Sequence, residues 1–171
     1  GRLAAEIGRI KAQSGTPVYS PDRESVILQR LSTLNGGPFP DSVLHAIYRE
    51  LMSGSFLLER PPRIAYLGPP GSFSHVAATG KFGASVEYRP VSDIAAVFTE
   101  VERGHADFGV IPVENTLGGG IVDTLDAFAA AHVQVCSEVV RFIPHNLLAH
   151  RPLAGIERVY SKPEVFAQCK R

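Results

Sequence analysis

The chain has 171 residues, with 17 Lys and Arg balanced by 17 Asp and Glu, 44% hydrophobic and 20% charged residues. A formal net charge of zero leaves no global field for nucleic acid or an anionic membrane, and the apolar fraction is that of a globular chain without a run of about 18 apolar residues that would span a bilayer. Two cysteines, Cys136 and Cys169, make no disulfide framework and fit a reducing, cytoplasmic compartment.

Leu3, Ile7 and Ile10 recur at spacings of four and three, which predicts a first helix broken by Gly15, Thr16 and Pro17. Ser20-Pro21 opens a second, with Ser20 as N-cap, Pro21 at the first helical position and Asp22 in the first turn. Val26, Ile27, Leu31 and Leu34 form its stripe, and Asn35-Gly36-Gly37-Pro38 ends it. A third helix starts after Pro40, capped by Asp41 or Ser42, and carries Val43, Leu44, Ile47, Leu51, Ser55 and Leu58. Arg60-Pro61-Pro62-Arg63 cannot continue it, so a domain boundary is expected there, dividing residues 1–60 from 61–171. Three short helices bury too little apolar surface to fold alone with much margin, so this segment is expected to borrow a core from a second copy or from further sequence.

From Ile64 the rhythm becomes strand, turn, helix. The expected strands are Ile64 to Leu67, Val86 to Arg89, Phe108 to Val113 and Val133 to Ile143, with Val159-Tyr160 beginning another unit. The expected helices run from Phe73 to Lys81, through Ile94, Val97, Phe98 and Val101 with Ser92 as cap, and through Ile121, Val122, Leu125 and Phe128. The class is α followed by α/β: a helical segment, then βαβ units forming a largely parallel sheet with helices on both faces. The chain opens on Gly1, has its only Met at position 52 and ends within a rising helix. It reads as a piece of a longer protein without a secretory signal.

The six histidines show no i,i+4 pair and no carboxylate at ligand spacing, no CxxC exists, and no metal site is expected. There is no nucleophile elbow, phosphate-binding loop or dinucleotide fingerprint. Three places remain. In Gly68-Pro69-Pro70-Gly71-Ser72-Phe73-Ser74, hydroxyls and free helix N–H groups either hold a carboxylate or simply cap a turn. In Pro112-Val113-Glu114-Asn115-Thr116-Leu117-Gly118-Gly119-Gly120, polar groups at a strand end aim at a crevice, or the glycines supply positive φ for a loop. In Tyr160 to Gln168, Ser161 caps a helix and Gln168 lies two turns along the same face, so that either both reach one ligand or, as spacing alone favours, the helix is simply capped and Gln168 lies at the surface. Among the helices the polar residues of interest are Lys11, Arg23, Glu24, Ser55 and Glu59. Ser55 and Glu59 share a face with Leu51, read as inward, where a carboxylate must be paired or protonated; taken alone, Glu59 reads rather as a surface carboxylate.

The run from Gly68 to Ala78 resembles the opening motif of prephenate dehydratases, as do Pro112-Val113-Glu114-Asn115-Thr116, Thr124-Leu125-Asp126, His145-Asn146-Leu147-Leu148 and Tyr160 to Cys169. Ile7 to Lys11, Pro21-Asp22-Arg23-Glu24 and Arg49 to Glu59 resemble the all-helical class of chorismate mutase. Mutase followed by dehydratase is the order of the bifunctional P-proteins of phenylalanine synthesis. The resemblance implies that chorismate rearranges to prephenate, which then loses carbon dioxide and hydroxide to give phenylpyruvate, with no cofactor in either step. It implies that Lys11 and Glu59 flank the ether oxygen, that Glu24 takes the ring hydroxyl, and that Arg23 and Ser55 line the pocket. For the dehydratase it implies that Asn115 acts in catalysis, that Ser161 and Gln168 bind or orient prephenate, and that Ser72 and Thr116 contribute from adjoining turns. It further implies a lobe similar to a type 2 periplasmic binding protein, with the site in a cleft, and a homodimer formed through the helices.

The departures are specific. Ser20 stands where an acidic residue is common, and Thr116-Leu117-Gly118-Gly119 replaces Ser-x-Glu-Gly. The family's clamping arginines, its Thr-Arg motif and its regulatory ACT domain would lie outside this chain, which is therefore expected to be inactive by itself. Two further readings stay open: a dehydratase with a decayed mutase segment, and a non-catalytic module that binds a small anion.

Overall fold

The computed structural model describes residues 1–15, 19–116 and 118–169. Thr16, Pro17 and Leu117 of the expected turns lie outside them. Helix α1 (Arg2–Ser14) ends at Gly15, whose φ of 67° is a left-handed cap donating its N–H to the Lys11 carbonyl. Helix α2 (Pro21–Leu34) starts as its sequence requires: Ser20 Oγ accepts from the Arg23 N–H and Pro21 takes the first turn. Helix α3 (Asp41–Phe56) is preceded by Pro40 and has no side-chain cap, contrary to the expectation for Asp41 or Ser42. Asp41 Oδ1 instead accepts from Asn35 Nδ2 at 2.7 Å, which locks the connection between α2 and α3.

The second region holds β1 (Arg63–Leu67), α4 (Phe73–Phe82), β2 (Glu87–Val91), α5 (Ile94–Glu102), β3 (Phe108–Val110), β4 (Glu114–Asn115), β5 (Gly119–Gly120), α6 (Val122–Ala130) and α7 (Pro163–Gln168). Strand β1 lies between β2 and β3, parallel to both, with Ile64 opposite Tyr88 and Phe108. The period of two sends Ile64 and Tyr66 to one face, where they meet Ala78 and Phe82 of α4. Ala65 goes to the other face, against Val97 of α5. Because β1 is covered on both faces, its apolar run is continuous rather than alternating. The cap of α5 is Asp93, whose Oδ1 accepts from the Ala96 N–H at 2.8 Å. Ser92, the expected cap, donates to the Asp93 carboxylate instead.

Two expectations fail beyond α6. Residues 133–143 form no strand, and Val140 and Phe142 are 85% and 90% exposed. Alternation selects which side chains would share a face, but a strand forms only where a neighbouring edge takes up its backbone groups, and this stretch pairs with neither β2 nor β3. Val159-Tyr160 likewise forms no strand, and α7 is preceded by Lys162 without a side-chain cap, so Ser161 does not serve as one. With the two-residue hairpin β4–β5 antiparallel, the strands as a whole are mixed in direction. No helix among the described residues is long and apolar enough to cross a membrane.

The helical segment is seated on the α/β region. Tyr19, just ahead of α2, is buried in the same cluster as Ile64, Tyr66 and Phe82. Its ring meets Phe56 and Phe108 edge-on and Phe82 at a tilt, with centroids 5.9, 5.2 and 5.1 Å away. Polar contacts reinforce the seat: Ser53 Oγ accepts from the Ser85 N–H at 2.9 Å and Glu50 Oε2 from the Ala84 N–H at 3.1 Å. Gly83 permits this approach, since a Cβ there would lie 2.6 Å from Ser53 Cβ. The connection through Pro61-Pro62 is fastened by Asp107, which accepts from the Arg63 backbone and side chain at 2.9 and 3.2 Å and from Arg60 at 2.9 Å.

Burial pulls the Asp107 carboxyl upward, but the hydrogen bonds from Arg63 and Arg60 outweigh it and hold the group below the usual aspartate range. A carboxyl depressed in the folded state stabilises the fold above its unfolded-state range, and that contribution is lost as pH falls through the folded-state titration. Asp107→Asn is expected to lower unfolding free energy by ~1–2 kcal/mol at neutral pH, with variant and native chain converging at an acidic pH below the folded-state titration. Denaturant unfolding at the two pH values checks this.

Candidate active site

The polar residues singled out in the three helices converge. One cavity of about 150 Å³ is lined by Lys11 from α1, Arg23 and Glu24 from α2, Ser55 from α3 and Glu59 from the turn beyond it. Glu59 is held there by successive turns, with the Leu58 N–H on the Ser55 carbonyl and the Glu59 N–H on the Phe56 carbonyl. The third helix therefore ends at Phe56, and Ser55 and Glu59 reach one cavity through a turn rather than a straight helical face. Leu51, read as inward with them, is 59% exposed. The row that faces the cavity is Arg49, Met52, Ser55, Phe56 and Glu59.

Two ion pairs organise the cavity. Lys11 Nζ lies 3.0 Å from Glu59 Oε2, and the Glu59 side chain is only 7% exposed, so the carboxylate has the partner its position demands. Gly8 makes the contact possible: a Cβ at that position would come within 2.9 Å of both Cα and Cγ of Glu59. On the other side Lys81 Nζ lies 2.7 Å from Glu24 Oε2, which also accepts the Tyr19 hydroxyl at 2.6 Å. Burial, then the hydrogen bond to Glu24 and its negative charge, push the Tyr19 phenol far above its ordinary range, so it remains a donor. Ser55 Oγ donates to the Leu51 carbonyl at 2.9 Å, back into its own helix. Lys11, Arg23, Arg49 and Lys81 against Glu24 and Glu59 leave an excess of two positive charges around a partly apolar wall of Ile7, Ile27, Met52, Phe56 and Phe82. That is the complement of a small dianion with a hydrocarbon body.

Arg49 and Lys81 did not stand out in the sequence. Arg49 was legible in principle, because it precedes Met52, Ser55 and Glu59 at helical spacing. Lys81 was not, because it belongs to α4 of the other region.

The residues of the strand-end motifs are placed differently. Ser72 caps α4: its Oγ accepts from the His75 N–H at 3.2 Å and donates to the Leu67 carbonyl at 2.8 Å, so its single proton is engaged within the turn. His75 Nδ1 accepts from the Gly71 N–H at 2.9 Å, and its ring stacks on Tyr66 with centroids 4.7 Å apart. Asn115 is half-buried in β4, Thr116 is exposed, and Gly119 opposite Asn115 has φ 73°, so the loop does use a glycine for positive φ. Thr124, fully buried, donates to the Pro112 carbonyl at 2.7 Å and ties α6 to this loop. Gln168 and His145 meet at 2.8 Å, which joins two motifs separated by 23 residues. Ser161 is exposed. A second cavity lies between α2 and α3 beside Ser32 and His45, and neither cavity is lined by Ser72, Asn115, Thr116, Ser161 or Gln168. Among the described residues no group of three or more His, Cys, Asp or Glu side chains is arranged to hold a metal ion.

A family profile described as prephenate dehydratase matches residues 64–171, and one described as chorismate mutase type II matches residues 1–60. The chain is similar to proteins named bifunctional chorismate mutase/prephenate dehydratase. It is 42% identical to that of Aquifex aeolicus, over 99% of this chain and 48% of the relative. The values for Stutzerimonas stutzeri are 40%, 99% and 48%, and for Escherichia coli K12 33%, 99% and 49%. The chain thus spans about half the length of the curated relatives it matches. No solved structure gives a match.

The Gly8 contact makes a prediction of unusual sign. Gly→Ala inside a helix ordinarily stabilises by ~0.5–1 kcal/mol. Here the added methyl meets the Glu59 backbone, so Gly8→Ala is expected to destabilise by ~1–3 kcal/mol, the range of an overpacked contact. Thermal unfolding of variant and native chain decides the sign.

Proposed function

The chain belongs to the prephenate dehydratase family, and from that membership we propose that the full-length protein converts chorismate to phenylpyruvate in two consecutive steps at two sites. The helical segment, residues 1–60, catalyses the rearrangement to prephenate, and the region from residue 61 contributes to the dehydratase. The convergence of Lys11, Arg23, Glu24, Ser55 and Glu59 on one cavity with two excess positive charges is the observation that carries this reading. A pericyclic rearrangement forms no covalent intermediate with the protein. Catalysis therefore consists of holding the bent conformer of a dicarboxylate and stabilising the charge that develops on its ether oxygen. Lys11 and Glu59 flank that oxygen; Lys11 donates to it, Glu59 does so on taking up a proton, and Glu24 accepts the ring hydroxyl. Lys11 and Glu59 lie 3.0 Å apart, so the two groups assigned to the ether oxygen are already brought together by the fold.

In the second step carbon dioxide leaves while hydroxide departs with a proton from an acid, and two carboxylates must be held. Asn115 acts there, Ser161 and Gln168 orient prephenate, and Ser72 and Thr116 sit in the adjoining turns. The contact between Gln168 and His145 supports a shared role for the last two motifs. We read the α/β region as one lobe of a fold of the type 2 periplasmic-binding-protein kind. Its parallel order β2-β1-β3, with turns at the strand ends, supports that reading. The exposure of Leu3, Ile10, Val26 and Leu34 supports a homodimer through the helices, and the protein is assigned to the cytoplasm.

Incubating the full-length protein with chorismate is expected to yield prephenate and then phenylpyruvate; failure to consume chorismate overturns the first assignment. Glu59→Ala is expected to lower rearrangement by ~100-fold or more, the scale of a lost donor to developing charge, with little effect on turnover of supplied prephenate. Asn115→Ala should do the reverse, and equal loss of both activities in either variant refutes the separation of sites. A carboxyl donates to the ether oxygen only with a proton, whereas an amide always donates, so Glu59→Gln is expected to keep rearrangement that Glu59→Ala loses.

A further inference from the structure

Glu24 is 6% exposed, in the first turn of α2, and a buried carboxylate needs neutralisation. Its cation does not come from the helical segment. Lys81, in the last turn of α4, reaches across and places Nζ 2.7 Å from Glu24 Oε2. A lysine at the end of a surface helix would ordinarily sit in water beside the helix carbonyls; this side chain is instead four-fifths shielded and lines the helical cavity. The second bond to Glu24, from the Tyr19 hydroxyl, also falls on Oε2. Oε1 takes no hydrogen bond from any described residue, which leaves it as the oxygen open to a molecule in the cavity.

We propose that Lys81, a residue of the α/β region, is a positioning residue of the helical site: with Tyr19 it pins Oε2 of Glu24 so that Oε1 is held to accept a substrate hydroxyl. The proposal rests on the chorismate rearrangement proposed above. Without Lys81, the Glu24 carboxylate keeps one neutral donor and turns toward the remaining cations of the cavity, among them Arg49. The hydroxyl acceptor is then misplaced in both ground and transition states, which is a loss of uniform binding and shows in KM.

The test uses the full-length protein and steady-state consumption of chorismate. Lys81→Met is expected to raise KM for chorismate about tenfold while kcat changes by less than about threefold. Lys81→Arg is expected to recover most of the affinity, because it restores a cation at the same place. Combined with Glu24→Gln, Lys81→Met is expected to add no further loss, since both act through one oxygen pair. Turnover of supplied prephenate reports that the variants are folded. If Lys81→Met loses that turnover too, Lys81→Gln, which keeps a donor and drops the charge, is judged by the same KM criterion. An impaired Glu24→Gln beside an unchanged KM in Lys81→Met overturns the proposal and leaves the helical site standing, as do additive losses in the double variant. An unimpaired Glu24→Gln overturns the site itself, and the proposal with it.

Discussion

The burial of one tyrosine governs how the two halves of this chain meet. Tyr19 places its ring among Phe56, Phe82 and Phe108 and its hydroxyl on Glu24. Full burial of an aromatic side chain stabilises by ~1.5–3 kcal/mol, and its edge-on neighbours add to that, so the ring is a strong anchor. The hydroxyl could not follow the ring into the core without an acceptor, and Glu24 could not be buried without donors. Each solves the other's problem, and the ion pair with Lys81 completes the solution. Seating Tyr19 therefore also fixes the entrance of α2, the side chains of its first turn and the end of α4.

The sheet supplies the rigid base for this arrangement. Strand β1 is covered on both faces and flanked by parallel partners, which positions α4 on one side and α5 on the other. Helix α4 carries the Ser72 cap at its start and Lys81 in its last turn, so one short rod joins the strand-end turn to the helical cavity. Asp107 holds the connecting Arg60–Arg63 stretch to the edge of the same sheet. The chain linking the two regions is thereby tied to the element on which both depend.

Electrostatics divides the two sets of motif residues. In the helical cavity Glu24 and Glu59 are enclosed, each is paired with a lysine from another element, and cations are in excess, an arrangement complementary to a dianion. At the strand ends the polar groups serve the backbone. Ser72 and Thr124 give their protons to carbonyls, His75 accepts from Gly71, and Gly119 turns the hairpin. These bonds shape the loops on which Asn115 and Thr116 sit. Ser161 and Gln168 lie some fifty residues further on, past a stretch without strand pairing.

The local sequence determined what local physics controls. Ser20 with Pro21 starts α2, Gly15 and Gly83 close helices with positive φ, and the apolar run from Ile64 is a strand buried on both sides. The polar residues of the three helices were legible as a set because helical spacing puts Ser55 and Glu59 near one another and because the motifs resemble a known family. Spacing misled where a second element had to agree. Residues 133–143 are apolar enough for a strand but find no edge to pair with, Leu51 shares a row with Ser55 yet faces water, and the cap of α5 falls to Asp93 because its carboxylate, one residue on, takes the free N–H of Ala96. Periodicity describes one element at a time, whereas Lys81 beside Glu24, separated by 57 residues, and Gly8 against Glu59 are contacts between elements. Only the packing of the helices on the sheet decided those, because burial selects among many locally permitted arrangements the one in which every enclosed charge has a partner.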